Sequence, residues 1–302
     1  MQTLEVNGYD ELMKELNYAH ATRKYSREEM NERQGFTMPR PAETFEGLQL
    51  PPAAIKLPIE GPAFARPDRA LLDKLSAVGT ATASALLHKM GVRQTFMAGP
   101  LPRTPGRKVV GSAVTLQFMP KREDVLATAE AYNFEKRSAL WSVFETVQPG
   151  DILMIQAWND RYTGCLGEML ATYFKGRGGV GIVVDGCVRD WPGIQAVDIP
   201  LWTCGFTPNY ASQGPLMPWA YNVPVSLSDV LVLPGDIVIA DDDGSVVIPI
   251  KMAEMVADHT IKHEEWEVFT RLKLEQGGEL RKYYPLSDEG WAEYEEWKKA
   301  NQ

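Results

Sequence analysis

Short runs of consecutive apolar residues recur along the middle of the chain, separated by segments whose apolar residues return every three or four positions. The runs, rich in β-branched residues, predict strands buried on both faces, and the spaced segments predict amphipathic helices. Strands are predicted at 109–118, 152–157, 180–184 and 201–204, and helices at 68–77, 82–90, 123–144, 168–175 and directly after position 189. Thr80 is predicted as the N-cap of the second helix, and Gly91 as the residue that ends it. This βαβ order predicts an α/β fold with a largely parallel sheet.

Beyond position 230 the pattern changes to a hairpin and a long helix. Apolar segments at 237–240 and 246–249 predict an antiparallel hairpin joined through Asp243 and Gly244. The charged amphipathic segment 251–274 predicts a helix that completes the core. The chain is therefore divided into an extension at 1–65, a core domain at 66–280 and a helical tail at 281–302.

The extension combines two polar helical segments, at 9–20 and 26–34, with a proline-rich connection. Prolines recur too often in this connection for a regular helix or a central strand. We expect it to wrap the core or a neighbouring subunit in an extended form, with a flexible tail as the alternative.

Composition and charge narrow the class of protein. Hydrophobic residues make up 44% of the chain and the formal net charge is -9, which provides core material and opposes nonspecific nucleic-acid binding. The chain has no apolar run long enough to span a membrane, and its charged N-terminus lacks the apolar stretch of a secretory signal. We therefore expect a cytoplasmic protein that binds neither nucleic acid nor membrane. The three cysteines are too few for a disulfide framework and are expected to be buried as small hydrophobes.

Three short motifs have spacings that could bind ligands, but each is better explained as a turn or as surface residues. Residues 176–181 match G-x-G-x-x-G, but they follow a helix and precede a strand, the reverse of a dinucleotide site, and so predict a tight turn. His259 and His263 have a zinc-like spacing without an evident third ligand, so we expect surface histidines. The run 241–243 lacks the alternating ligands of a calcium loop and predicts a hairpin turn.

The segment 164–190 is the strongest candidate for a functional site. It places Glu168 at the head of a helix, then a buried strand, and then Asp185, Arg189 and Asp190 where that strand is predicted to end. Ligands of open α/β sheets bind at the carboxyl ends of such strands. One guanidinium beside several carboxylates suits an oxyanion held against a divalent cation. Taken alone, an Arg-Asp pair at a helix start is more often an ordinary cap or ion pair.

The spacing and surroundings of these residues resemble the signature of the RraA-like family. Arg189 follows Glu168 by 21 positions and lies within VVDGCVRD. The resemblance extends over roughly residues 70–275 and includes the segments VGTATASALLHKMG, PGRKVVGSAVTLQF, PGDILMIQA and VLPGDIVIADDDGSVVIP. It implies a three-layer α/β/α sandwich with a mostly parallel central sheet and a C-terminal hairpin and helix. The family includes metal-dependent 4-hydroxy-4-methyl-2-oxoglutarate aldolases and regulators of ribonuclease E activity.

The resemblance implies a catalytic role for three charged residues. Arg189 matches the arginine that binds the carboxylate and keto oxygen of a pyruvoyl group. Asp190 matches the aspartate that binds Mg²⁺ or Mn²⁺ alongside several waters. Glu168 stands where many relatives have aspartate, and it is assigned to the metal site and to orienting a metal-bound water or relaying a proton.

The resemblance also implies that the start of the helix at 168–175 receives the substrate. Gly167, Met169 and Leu170 are assigned to substrate binding, and the backbone amides of Met169 and Leu170 would bind the substrate carboxylate, as unpaired helix-start N–H groups readily do. Asp185 is assigned to the same substrate site as a supporting partner.

Two other segments bear on specificity. Relatives commonly have Ser-Asp-Ala-Leu where this chain has Ala-Ser-Ala-Leu at 83–86. Trp158, Asn159, Arg161 and Tyr162 are unusually polar and aromatic for a loop after a strand, and we predict that they help to set specificity, with ordinary loop packing as the alternative.

These residues together imply a divalent-metal-dependent aldolase or lyase that cleaves a 4-hydroxy-2-oxo acid to pyruvate or a related 2-oxo acid. Cleavage leaves an enolate, whose negative charge must be stabilised by a metal ion or another cation. A lysine Schiff base is the usual alternative, but Lys108 precedes its strand and Lys175 ends a helix, so a class II, metal-dependent route is preferred. Oxaloacetate decarboxylation, which forms the same enolate, is expected as a side activity.

Relatives form homotrimers or homohexamers with the site between subunits, so the resemblance implies the same assembly here. Two other functions stay open. One is a non-catalytic, protein-binding regulator of the ribonuclease E type, and the other is a lyase or hydrolase of the same scaffold acting on a sugar acid or an aromatic catabolite. The presence of all three charged groups favours the enzyme.

Overall fold

Four parallel strands form the centre of the sheet, where the apolar runs predict them. The structure, a computed structural model, describes residues 55–122, 125 and 134–301. The strands are β1 Ile59–Glu60, β2 Leu101–Pro102, β3 Val109–Pro120, β4 Asp151–Gly164, β5 Gly181–Val188, β6 Leu201–Phe206, β7 Leu216–Tyr221, β8 Val225–Leu227, β9 Val230–Val232, β10 Ile237–Asp241 and β11 Gly244–Ile248. The main sheet has the order β1-β7-β3-β4-β5-β6-β2, and β3 to β6 run parallel to one another. The prediction of an α/β fold with a mostly parallel central sheet is confirmed.

The helices predicted from spacing occur near their predicted positions. They are α1 Arg69–Leu75, α2 Thr80–Lys89, α3 Phe134–Arg137, α4 Ala139–Thr146, α5 Glu168–Gly176, α6 Trp191–Val197, α7 Ala253–Glu275, α8 Leu280–Tyr283 and α9 Asp288–Asn301. The described part of the predicted 123–144 helix is divided at Ser138 into α3 and α4. The helices predicted at 9–20 and 26–34 lie outside the described residues. Within the described residues, no helix is both long and apolar enough to cross a membrane.

Hydrophobic clusters pack on both faces of the parallel strands. On one face, Val184 of β5 packs with Phe144 of α4 and Phe174 of α5. On the other face, Val183 packs with Trp202 of β6 and with the β8–β9 hairpin. Neighbouring residues of a strand point to opposite faces, so β5 contributes to both clusters. This two-sided burial explains why its apolar run is continuous rather than alternating.

The C-terminal hairpin forms as predicted and joins the sheet. Strand β10 pairs antiparallel with β11 and also with the first half of β3. Its turn lies at Asp242 and Asp243, because Asp241 and Gly244 are paired across the two strands, so the predicted turn was one position too late. The face of the hairpin that contains Ile239 packs against α1, α2 and α7. The second helical layer therefore lies over the hairpin.

The helix α2 begins at Thr80, two positions before its predicted start, and the prediction of Thr80 as its N-cap is wrong. Gly79 occupies the N-cap position and Thr80 is the first helical residue. The amide and hydroxyl of Thr80 donate to the carboxylate of Asp241 at 2.9 and 2.5 Å. Gly91, with φ of +91°, follows the end of α2 as predicted.

Both ends of the described chain lie against the core. β1, within the proline-rich connection, pairs in parallel with β7, and Arg66 forms an ion pair with the buried carboxylate of Asp151 at 2.8 Å. The helices α8 and α9 pack on α7 through a buried aromatic cluster that includes Phe269, Tyr283 and Tyr294. The described part of the proline-rich connection is therefore held to the core by backbone pairing, in the extended form expected.

Candidate functional site

The starts of helices α5 and α6 meet at the carboxyl end of β5. Residues 164–167 run beside that end. The Cys165 amide donates to the Cys187 carbonyl oxygen at 2.9 Å, and the Arg189 amide donates to the Leu166 carbonyl oxygen at 3.0 Å. The second of these bonds joins the residue before the N-cap of α6 to the residue before the N-cap of α5, so the two helix starts lie side by side.

Two glycines let the helix starts approach each other closely. A Cβ atom at Gly167, the N-cap of α5, would lie 2.5 Å from Asp190 Oδ2. A Cβ atom at Gly193, in the first turn of α6, would overlap Glu168 Oε2. Asp190 therefore lies against the start of α5, and Glu168 lies against the start of α6. Both carboxylates occupy the helix ends where negative charge is favoured.

Asp190 is held in a left-handed backbone conformation, with φ of 57° and ψ of 39°, at the N-cap of α6. Aspartate tolerates this conformation better than bulky or β-branched residues do. Its side chain makes no capping hydrogen bond, and 47% of the side chain is exposed. The carboxylate is therefore available to a ligand.

The Arg189 side chain packs beside Gly164 and Gly167, and 40% of it is exposed. Its Nε atom lies 3.3 Å from Asp190 Oδ2, and its guanidinium carbon lies 5.9 Å from the centre of the Tyr210 ring. In the described part of the chain, the guanidinium donates no hydrogen bond to a protein acceptor. A guanidinium in this position can donate two parallel hydrogen bonds to a carboxylate.

A cavity of about 230 Å³ opens beside Arg189 and Asp190. Its other walls come from α4, from the start of α5 and from the segment that follows β6. The lining residues are Ser138, Leu140, Trp141, Gly164, Cys165, Leu166, Gly167, Met169, Leu170, Arg189, Asp190, Tyr210, Ala211, Ser212 and Pro218. The structure thus brings together five of the predicted site residues, Gly167, Met169, Leu170, Arg189 and Asp190.

The amides of the first residues of α5 precede the first backbone hydrogen bond of the helix. That first hydrogen bond runs from the amide of Ala171 to the carbonyl oxygen of Gly167, at 3.1 Å. The amides of Met169 and Leu170 precede it, and both residues line the cavity. Unpaired helix-start amides of this kind bind anions. The cavity can therefore receive a carboxylate between α5 and the Arg189 guanidinium.

Sequence reasoning missed the walls formed by α4 and by residues 210–212. Trp141 stands in an apolar helical segment and reads as a core residue, yet it is 40% exposed at the cavity. Tyr210 lies in a connecting segment without a periodic pattern. The sequence offers no signal that either residue lies near Arg189, because both are distant from it along the chain.

Asp185 lies on the other side of the sheet, in a second cavity. Strand β5 continues to Val188, so Asp185 is an interior strand residue rather than the residue after the strand. Its side chain is buried and accepts a hydrogen bond from the Ser228 hydroxyl at 3.0 Å. It lines a cavity with Gln156, its partner on β4, and does not line the Arg189 cavity. The structure therefore does not bring Asp185 to the site assigned to it.

The residues predicted to set specificity also lie away from the Arg189 cavity. Strand β4 continues to Gly164 through two register shifts, so Trp158, Asn159, Arg161 and Tyr162 belong to the strand, and their prediction as a loop is wrong. Trp158 and Asn159 line the second cavity with Asp185. Arg161 donates to the Cys204 carbonyl oxygen, and Tyr162 is exposed.

The three cysteines are buried and unpaired, as expected. Burial raises the pKa of the Cys165 thiol well above its usual range, and neighbouring groups, led by Cys187, raise the pKa further. Burial also raises the pKa of Cys204 to about 11. All three thiols therefore stay protonated near neutral pH, and Cys165 contributes to the cavity wall as an apolar group.

The carboxylates of the site decide whether it could hold a divalent cation. Among the described residues, no group of three or more His, Cys, Asp and Glu side chains could hold a metal ion. His259 is exposed, as expected, whereas His263 is half-buried beside Trp266, with its Nδ1 atom 3.2 Å from Glu267 Oε1. Mg²⁺ commonly binds through one or two carboxylates, with water and substrate as its other ligands. Asp190 supplies one such carboxylate at the cavity, whereas Glu168 lies against the start of α6 and does not line the cavity.

Comparisons with known proteins agree on one family. The model of the RraA-like family, described as Aldolase/RraA, matches residues 70–247, more than half of the chain. The crystal structure of Streptomyces coelicolor RraAS2, described as an unusual member of the RNase ES inhibitor RraA protein family, is 50% identical with a TM-score of 0.64. That match covers 69% of this chain and 99% of RraAS2.

Two curated relatives match parts of the same region. A Halalkalibacterium halodurans protein provisionally named 4-hydroxy-4-methyl-2-oxoglutarate aldolase is 28% identical over 161 residues, which are 53% of this chain and 70% of that protein. Protein DlpA of Legionella pneumophila is 29% identical over 194 residues, which are 63% of this chain. This chain spans only 29% of the length of DlpA.

Proposed function

This chain belongs to the RraA-like family, and on that premise we propose that it is a divalent-metal-dependent lyase that cleaves a 4-hydroxy-2-oxo acid to pyruvate or a related 2-oxo acid. The family contains both 4-hydroxy-4-methyl-2-oxoglutarate aldolases and ribonuclease E inhibitors. The observation that carries the proposal is the Arg189 guanidinium, which lines a cavity next to unpaired helix-start amides and donates no hydrogen bond to any described protein acceptor. A 2-oxo acid presents a carboxylate and a keto oxygen that match these donors.

The proposed reaction breaks the bond between C3 and C4 of the substrate. A base takes the proton of the C4 hydroxyl, C4 becomes a carbonyl carbon, and the electrons of the broken bond form an enolate over C2 and C3. Protonation at C3 then gives pyruvate. Arg189 and the α5 amides hold the C1 carboxylate and C2 oxygen, so the positive charge is already in place where negative charge develops. Glu168 relays the proton.

Asp190, with Glu168, would hold the Mg²⁺ or Mn²⁺ ion. A bound ion would supply positive charge that stabilises the enolate. The same enolate would form if oxaloacetate lost carbon dioxide, so decarboxylation is proposed as a side activity. By family resemblance we also propose a homotrimer or homohexamer.

A pyruvate-release assay over 2-oxo acids, with and without Mg²⁺ or Mn²⁺, tests this function. Arg189→Ala and Asp190→Asn should each lower kcat/KM by about a hundredfold or more, because each removes charge stabilisation aimed at the enolate. Asparagine keeps the left-handed backbone of position 190 accessible, so the second variant should fold normally. Arg93→Ala removes an exposed arginine elsewhere and serves as the matched control.

Two outcomes would contradict the proposal. Full activity in either variant, or turnover that does not depend on metal, would exclude the mechanism. The 50% identity with RraAS2 makes ribonuclease inhibition the second candidate function. Absence of turnover on every 2-oxo acid, together with inhibition of a purified ribonuclease E by the wild-type chain, would establish that regulator instead.

A further inference from the structure

The second cavity, which contains Asp185, is lined mainly by polar side chains. Its volume is about 470 Å³. The polar side chains among its described lining residues are those of Gln156, Asn159, Asp185, Ser226, Ser228 and Asp229. They come from β4, from β5 and from the β8–β9 hairpin. A ligand in this cavity therefore meets hydrogen-bonding groups from several elements of the fold.

Asp185 has one carboxylate oxygen that the protein leaves unused. The residue is nearly fully buried, with 5% of its surface exposed. Its Oδ1 atom accepts a hydrogen bond from the Ser228 hydroxyl at 3.0 Å, and the Ser228 oxygen in turn accepts one from the Gly99 amide at 3.1 Å. Within the described residues, Oδ2 accepts no hydrogen bond. A buried carboxylate oxygen without a partner is unfavourable, so this atom suits a hydroxyl donor on a ligand.

Gln156 presents a matching donor beside this acceptor. It is the partner of Asp185 in the parallel register of β4 and β5, so the two side chains project from the same face of the sheet. Gln156 Oε1 accepts hydrogen bonds from the Ser226 amide at 3.1 Å and from Gln117 Nε2 at 3.3 Å. These bonds fix the orientation of the amide, and its Nε2 group donates to no described acceptor. Because a hydroxyl both donates and accepts, neighbouring hydroxyls of one ligand can bind Asp185 and Gln156 together.

Trp158 supplies an exposed aromatic ring at the same cavity. Its indole N–H donates to the Phe118 carbonyl oxygen at 2.7 Å, while 54% of the residue is exposed. Trp158 and Asn159 lie in the left-handed backbone region, where β4 shifts register against β5. This conformation is unfavourable for tryptophan, so the hydrogen bond and the strand pairing must hold the residue in place. A fixed indole with an exposed face is suited to stacking against the C–H groups of a ligand.

The chemistry of the lining decides between classes of ligand. Asp185 and Asp229 disfavour an anion, because like charges repel. An amine would satisfy the carboxylates but has no acceptor for Gln156 Nε2. A nucleobase has two apolar faces, and Trp158 is the only aromatic ring among the described lining residues. A sugar carries hydroxyls around its edge and C–H groups on its faces, which matches polar walls beside one ring.

We propose that the second cavity binds a neutral sugar of monosaccharide size. Two neighbouring hydroxyls bind Asp185 Oδ2 and Gln156 Nε2, and a face of the sugar ring stacks on Trp158. A volume of about 470 Å³ accommodates one pyranose together with bridging water. The site uses none of the residues in the proposed lyase mechanism, so it goes beyond the proposed function.

Titration calorimetry with three pyranoses tests the site. D-glucose, D-galactose and D-mannose are titrated into the wild-type chain, and we expect at least one to bind with a dissociation constant of about 1 mM or lower. The uronate of the sugar that binds is the matched ligand, because it differs from the parent sugar only by a carboxylate at C6. We expect the uronate to bind about tenfold or more weakly, because its charge is repelled by Asp185 and Asp229.

Variants connect sugar binding to the side chains of the cavity. Asp185→Asn keeps the size of the side chain but removes the charge that strengthens a hydrogen bond from a hydroxyl, so the affinity should fall about tenfold. Trp158→Ala should lower the affinity to a similar extent, whereas Trp158→Phe keeps a ring and should retain part of the binding. Asp198→Asn and Trp291→Ala are the matched controls, because both residues are exposed and neither lines the cavity.

Arg189→Ala separates the sugar site from the lyase site. Arg189 lines the other cavity, so this variant should bind the sugar as the wild type does while it loses pyruvate release. Sugar binding by a wild-type chain that releases no pyruvate from any 2-oxo acid would support the sugar site and overturn the lyase.

Several results would overturn the sugar site. They are the failure of all three sugars to bind at about 50 mM, tighter binding of the uronate, and loss of sugar binding in Arg189→Ala. Unchanged affinity in both Asp185→Asn and Trp158→Ala would also exclude it. So would binding of adenosine or of a primary amine, sensitive to Asp185→Asn, when none of the sugars binds.

Discussion

The absence of a side chain at Gly193 leaves room for the carboxylate of Glu168. Gly193 lies in the first turn of α6, and a Cβ atom at this position would overlap Glu168 Oε2. Gly193→Ala should therefore displace the Glu168 carboxylate. The helix itself should be stabilised by roughly 0.5–1 kcal/mol, because alanine is a better helix former than glycine. We expect kcat to fall about tenfold while the melting temperature stays constant or rises, since proton transfer depends on the position of the carboxylate.

Gly176→Ala is the control for that experiment. Gly176 is the last residue of α5, and a Cβ atom there would meet no atom within 4 Å. Both variants are compared by steady-state pyruvate release and by thermal denaturation. A wild-type kcat in Gly193→Ala would show that the carboxylate of Glu168 can move without consequence, and would remove Glu168 from the proposed mechanism.

The helix α2 is stabilised by a residue that belongs to another element. Asp241, on β10, accepts hydrogen bonds from the amide and hydroxyl of Thr80 and from the amide of Asp243. Asp241→Ala leaves the α2 start without this acceptor and should lower the free energy of unfolding by about 1–2 kcal/mol. Urea denaturation measures the loss. Asp243→Ala, which removes an exposed carboxylate from the same turn, should have little effect, and an equal loss in both variants would contradict the capping role.

The predictions of the N-cap of α2 and of the end of β4 were wrong for the same reason. The cap of α2 lies 161 positions away in the sequence, so local pattern offered only Thr80 as a candidate. Strand β4 was predicted to end where its residues become polar, at Trp158. It continues because the backbone shifts register twice against β5, with Trp158 and Asn159 in the left-handed region. Pairing between distant segments decided both outcomes.

Across the whole molecule, the sequence predicts the central layers better than the site. Continuous apolar runs such as Val180–Val184 identify the parallel strands, because burial on both faces leaves a strong signal. The Arg189 and Asp190 pair was found through its resemblance to a family. Asp185, four positions earlier, was assigned to the same site, but it is an interior residue of β5 on the face of Val183, whereas the Arg189 cavity lies on the face of Val184. Trp141 and Tyr210 reach the cavity only through tertiary packing.

The C-terminal tail offers a test of whether 66–280 and 281–302 unfold separately. Tyr294 of α9 is 4% exposed, and its ring centre lies 5.7 Å from that of Phe269 on α7, which is fully buried. Tyr294→Ala opens a cavity between tail and core and should lower the free energy of unfolding by about 3 kcal/mol. Leu280→Ala, at an exposed position at the start of α8, should cost less than about 0.5 kcal/mol. We expect a single urea transition that shifts as a whole, because Phe269 would lose its cover if the tail detached alone. Two transitions, with the second unchanged by Tyr294→Ala, would instead show that the predicted tail is an independent unit.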